Sequence, residues 1–85
     1  MAEYVFARRF LQDLAEWEGR ASPADVAALD DGLARIATNP ALSGRFPSFY
    51  DPQYPSYLYR ADALLIHYRV STTRVEFLNL FFPRS

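Results

Sequence analysis

The chain has no cysteine, no lysine, one histidine and three glycines in 85 residues. Without cysteine, disulfides and thiolate metal sites are excluded, and nothing reports on redox compartment. A lone imidazole, His67, argues against a zinc site built from protein ligands alone, and no cofactor is expected. Without lysine there is no amine to serve as a base or Schiff-base former. All nine basic residues are arginine; coding bias is the simpler account, although arginine forks also suit carboxylate and phosphate partners. No apolar run approaches the roughly 20 residues of a membrane span. The opening MAEYVFARR also lacks the apolar stretch of a secretory signal, so the expectation is a cytoplasmic protein without membrane partners. A formal net charge of −1 and a pI near 5.7 give no global attraction to nucleic acid.

What is present is apolar: 51% of residues are hydrophobic and 16% aromatic, enough for one small domain over residues 1–85 to bury a modest core. The chain is organised around residues 63–82, ADALLIHYRV-STT-RVEFLNLFF, where two β-branched and aromatic runs flank a polar break. That is the pattern of a β-hairpin. The turn falls on Ser71, Thr72 and Thr73, as a two-residue or a four-residue loop of the same register. Val70 is then expected opposite Val75, Tyr68 opposite Phe77 and Leu64 opposite Phe81. Leu64, Ile66, Tyr68, Val70, Val75, Phe77 and Phe81 would share one apolar face, interrupted by Asn79. Leu65, His67, Arg69, Glu76, Leu78, Leu80 and Phe82 would form a mixed reverse face, where function is expected.

Ahead of the hairpin, Tyr4–Phe6 reads as a short strand or as the first turn of a helix. Phe10, Leu14 and Trp17, with Leu11 beside them, then have helical spacing, and Gly19 ends the helix. Its charges oppose the macrodipole, with Arg8 and Arg9 near the start and Glu16 and Glu18 near the end. A second helix is marked by Ser22 as cap, Pro23 at the first position and Asp25 near the exposed amides. Val26, Leu29, Leu33 and Ile36 form its stripe. Asp31 and Arg35 are spaced as an ion pair, Gly32 would allow close approach of another element, and Asn39-Pro40 stops the helix. Two such helices in succession predict an antiparallel pair.

Residues 41–56 contain three prolines and Phe46, Phe49, Tyr50 and Tyr54. These aromatics would pack the loop onto the helices; the rival reading is a stacking platform for a single strand, with Arg45 and Arg60. Arg45, Phe49, Tyr50 and Tyr54 are candidate partner contacts. From Ser56 to Arg60 the chain is strand-like, turning at Ala61-Asp62. The expected fold is α+β: a two-helix hairpin packed on a C-terminal antiparallel sheet of three to four strands.

With ALLIHYRV and VEFLNLFFPR in the sheet, FLQDLAEW in the first helix and LARIATNP closing the second, the chain resembles the RelE/ParE superfamily of toxins from bacterial toxin–antitoxin pairs, on its ParE-like side. The likeness covers most of the chain, and its motifs mark a fold, not a catalytic signature. It implies a cognate antitoxin whose C-terminal segment wraps the toxin. It also implies a target: DNA gyrase for ParE-like members, or messenger RNA on the ribosome for RelE-like ones, which cut it. Tyr68 and Arg69 match the family's Tyr-Arg of the third strand, Arg60 the basic residue ending the second, and Arg84 the arginine after the last. Arg60, Arg69 and Arg84 are thus candidates for target or phosphate binding. Departures are clear: Phe82-Pro83-Arg84 lacks a histidine, Leu65 stands where RelE-type members have arginine, and lysine is absent.

Metal-free RNA cleavage needs a base, an acid and cations for the phosphate. His67, Arg69 and Glu76 are the candidates, with His67 diagonal to Glu76 on one face and within reach of a relay. The simpler account makes His67 a half-exposed strand residue and Arg69–Glu76 a cross-strand ion pair. Tyr68 is expected in the core. A non-enzymatic toxin that binds a protein target is the leading expectation; an mRNA endonuclease and an inactive relative or interaction module are the alternatives.

Overall fold

A computed structural model describes residues 3–48, 53, 55–71 and 74–83. In chain order the elements are β1 (Glu3–Phe6), α1 (Arg8–Glu18), α2 (Pro23–Thr38), β2 (Phe46–Ser48), β3 (Ser56–Ala61), β4 (Leu64–Val70) and β5 (Arg74–Phe81). The strands form one sheet in the order β1-β5-β4-β3-β2. β2, β3, β4 and β5 pair antiparallel, whereas β1 adds parallel to β5. The α+β architecture is the expected one, with five strands instead of three to four. The extra two come from Tyr4–Phe6, which proves to be strand, and from the proline-rich loop, where Phe46–Ser48 pairs with β3. Each helix packs chiefly on the sheet, α1 on β5 and α2 on β3 and β4.

The helix signals act as read. Ser22 Oγ accepts from the Asp25 amide at 3.2 Å while Asp25 Oδ2 accepts from the Ser22 amide at 3.1 Å, a reciprocal box that satisfies two orphan donors. Arg35 and Asp31 meet at 2.6 Å on the exposed side. Gly32 lets α2 approach the sheet closely: a Cβ there would lie 3.0 Å from Ile66 Cδ1 and 3.1 Å from Ala61 Cβ. Leu11, expected beside the packed stripe of α1, and Val26, expected within that of α2, are exposed instead. The second hairpin turns at Asp62-Ala63, one residue later than expected, with Asp62 at φ 60, a left-handed conformation that aspartate tolerates.

The β4–β5 hairpin departs from simple alternation. Val70↔Val75 and Tyr68↔Phe77 pair as expected, but a bulge follows, and the next partners are His67↔Asn79, Ile66↔Leu80 and Leu65↔Phe81. Leu78 is the extra residue, and beyond a bulge the faces exchange. The expected Leu64↔Phe81 pairing is therefore wrong. Leu80 and Phe82 enter the core, Phe81 is exposed, and Asn79 leaves the apolar face. Val70, at the hairpin end, is also partly exposed. The bulge has an anchor in α1. Asp13, buried, accepts the Leu80 amide through Oδ2 at 3.1 Å and the Arg9 guanidinium through Oδ1 at 3.2 Å. Residues 72 and 73 lie outside the described residues; beside them the Ser71 amide donates to Arg74 O at 2.9 Å.

The core lies between the helices and one face of the sheet: Phe10 and Trp17 from α1, Leu29 and Ile36 from α2, and Leu64, Ile66, Tyr68, Val75, Phe77 and Leu80 beneath them. β1 contributes Phe6, whose ring stacks on Phe77 with centroids 5.2 Å apart.

Candidate functional site

With one face of the sheet covered by helices, the chemistry-bearing residues collect on the other. Strand alternation and the observed register place Ser56, Leu58 and Arg60 of β3, Leu65, His67 and Arg69 of β4, and Arg74, Glu76, Asn79 and Phe81 of β5 on this reverse face. The bulge decides its centre, because only the shifted register sets Asn79 beside His67.

His67 is the middle member of a row across three strands. Its Nδ1 lies 2.7 Å from Asn79 Oδ1 and its Nε2 2.9 Å from Ser56 Oγ. The Asn79 carbonyl accepts from Nδ1, and the Ser56 hydroxyl, able to donate or accept, pairs with Nε2. The ring is 2% exposed and Ser56 3%. The expectation of a half-exposed histidine is thus corrected: both ring nitrogens are held within the sheet, with Phe81 alongside at 6.0 Å between ring centroids. Nor does His67 form a relay with Glu76. It turns to Asn79 and Ser56, while Glu76 is taken by Arg69. Sequence spacing could not reveal this row, since the bulge shifts Asn79 by one position and Ser56 comes from a strand that begins in a loop.

Nearer the hairpin end, Arg69 and Glu76 form the cross-strand ion pair expected of them, both side chains about one-third exposed. They line a cleft of about 560 Å³ with Pro55, Val70, Ser71 and Arg74. Arg74 carried no expectation of a role; its signal was its place two residues from Glu76, which puts both on one face. Arg60 shares the face but stands opposite Leu65, whereas Arg69 stands opposite Ser56. Four residues of strand put the two arginines about 13 Å apart, so they line one surface without forming one site. Arg84, Phe49, Tyr50 and Tyr54 lie outside the described residues.

Arg45 is placed elsewhere. Its guanidinium sits 3.9 Å from the Tyr57 ring centroid and donates to Pro40 O at 3.1 Å, a cation–π and hydrogen-bonded tie that holds the start of the loop. Tyr68 is in the core as expected, its hydroxyl donating to the same Pro40 O at 2.8 Å. Burial raises its phenol above the ordinary value, against a smaller opposite pull from Arg45. Among the described residues no cluster of acidic, histidine or cysteine side chains could hold a metal ion, and no helix is long and apolar enough to cross a membrane.

No family model matches this chain, and no curated protein matches it in sequence. Among solved structures, a YoeB/ParE toxin from Agrobacterium tumefaciens is similar in fold, with a TM-score of 0.70 over 96% of this chain and 99% of that one, at 19% identity. What the two share is architecture. The chain has a RelE/ParE-like fold, in which a helix layer packs on one face of a mixed sheet.

Proposed function

We propose that this chain is the toxin of a type II toxin–antitoxin pair, of the ParE-like kind. It acts in the cytoplasm by binding a protein target, with DNA gyrase the candidate by analogy, and a cognate antitoxin neutralises it. The fold likeness to a YoeB/ParE toxin supports the class. The observation that carries the non-nucleolytic side of the reading is His67. It is 2% exposed, with Ser56 and Asn79 on its two nitrogens. An imidazole so enclosed holds strands together and is out of reach of a ribose hydroxyl.

One observation favours the rival ribonuclease: the Glu76 carboxylate stands beside Arg69 in an open cleft with Arg74, a base and cations in one place. The discriminating experiment uses purified chain in two assays. Supercoiling by purified gyrase is expected to be inhibited, and message in a translating extract is expected to stay intact. Cleavage that disappears in Glu76→Gln and survives in His67→Gln would replace this reading with the nuclease. If neither assay responds and the product of a neighbouring reading frame does not co-elute at micromolar concentration, the chain is an inactive relative or an interaction module.

A further inference from the structure

Glu76 stands between two arginines on the open face. Across the ladder it pairs with Arg69. Two residues back along β5 on the same face is Arg74, about 7 Å away along the strand. Register here is set by the Val70↔Val75 and Tyr68↔Phe77 pairs, and an ion pair one-third exposed contributes little to stability. The Arg69–Glu76 pair can therefore open without unfolding the hairpin.

We propose that this cleft receives a carboxylate from an acidic segment of a protein partner, and that Glu76 holds the Arg69 fork in its place until the partner arrives. The guanidinium fork is shaped for a carboxylate, and Glu76 already demonstrates the fit. When an outside carboxylate takes Arg69, Glu76 turns to Arg74, so no charge loses its partner. One guanidinium–carboxylate bond replaces another. The exchange therefore governs selectivity and encounter rate, while Pro55 and the partly exposed Val70 supply apolar contact. A nucleic acid fits less well. Among the described residues the cleft holds two arginines, Arg69 and Arg74, enough for a single carboxylate but too short a run for the cationic track a phosphate chain needs.

This inference rests on the reading of the chain as a protein-binding toxin, and its test is independent of toxicity. Fluorescence anisotropy on the full chain at low salt would use a labelled eight-residue Glu–Leu repeat, with a twelve-nucleotide poly(U) strand for comparison. The wild type is expected to bind the peptide, and Glu76→Gln to bind it about three- to tenfold more tightly, because the Glu76 carboxylate no longer competes for Arg69. Arg69→Ala should remove the binding and, in combination, the gain from Glu76→Gln. Arg74→Ala should weaken the wild type. Equal affinity of wild type and Glu76→Gln, tighter binding of poly(U), or no peptide binding by any variant would overturn the exchange. A chain that inhibits gyrase yet shows no Glu76→Gln effect loses the exchange alone; one that shows the effect yet inhibits nothing loses the toxin reading alone.

Discussion

The Asp13 carboxylate on α1 accepts the backbone amide of Leu80 on β5, at 3.1 Å, from 67 positions away in sequence. A bulge breaks the ladder between the Tyr68↔Phe77 and His67↔Asn79 pairs, and Asp13 supplies the neighbouring Leu80 N–H with its acceptor. Asp13→Ala leaves that buried donor unsatisfied and is expected to cost about 1–3 kcal/mol in urea unfolding. Asp13→Asn keeps a carbonyl acceptor and should cost less. Equal, near-zero losses for the two would show that the bulge holds itself.

Removal of the His67 side chain is the second test. His67→Ala vacates a buried position and strips partners from Ser56 and Asn79, for an expected loss of about 2–4 kcal/mol. His67→Gln, which keeps one donor and one acceptor, should recover part of this in thermal unfolding. A His67→Ala protein as stable as wild type would mean the row is incidental to the fold.

Gly32 sets helix propensity against space. Alanine gains up to ~1 kcal/mol in a helix interior, but its Cβ would meet Ile66 Cδ1 at 3.0 Å and Ala61 Cβ at 3.1 Å. Overpacking costs about 1–3 kcal/mol, so Gly32→Ala is expected to be destabilising by ~1 kcal/mol and Gly32→Val by more. Chemical denaturation of the pair measures this; a more stable alanine variant would show that α2 can move off β3 and β4.

Alkaline pH should find Tyr68. Burial raises its phenol above the ordinary 10.0, so the folded chain keeps this proton to higher pH than the unfolded one. Where the folded state holds more protons, stability falls as pH rises. The contribution is therefore intact below pH 10 and is lost as pH climbs through the raised value. Tyr68→Phe should flatten that part of the decline, and at neutral pH should cost about 1 kcal/mol for the bond to Pro40 O. Unfolding free energies from pH 8 to 11 check both statements. An unchanged slope in the variant would assign the alkaline loss to another group.

What the sequence determined by itself was local and repetitive. The box at Ser22 and Asp25, the Asp31–Arg35 pair, the antiparallel pairing of β4 with β5 and the Arg69–Glu76 pair each depend on neighbours at fixed spacing, and all are present. Alternation also identified Leu64, Ile66, Tyr68, Val75 and Phe77 as core. Tertiary structure decided the rest. The bulge is one extra residue whose cost depends on an acceptor reaching Leu80 from α1, which no spacing within β5 encodes. Through it, Asn79 moved out to His67, Leu80 and Phe82 moved in, and the centre of the open face became a closed row of polar side chains. The parallel seat of β1 against β5 likewise depends on Phe6 finding Phe77 across the chain. Periodicity assigns a residue to a face only while pairing runs unbroken, and here long-range packing chose where it breaks.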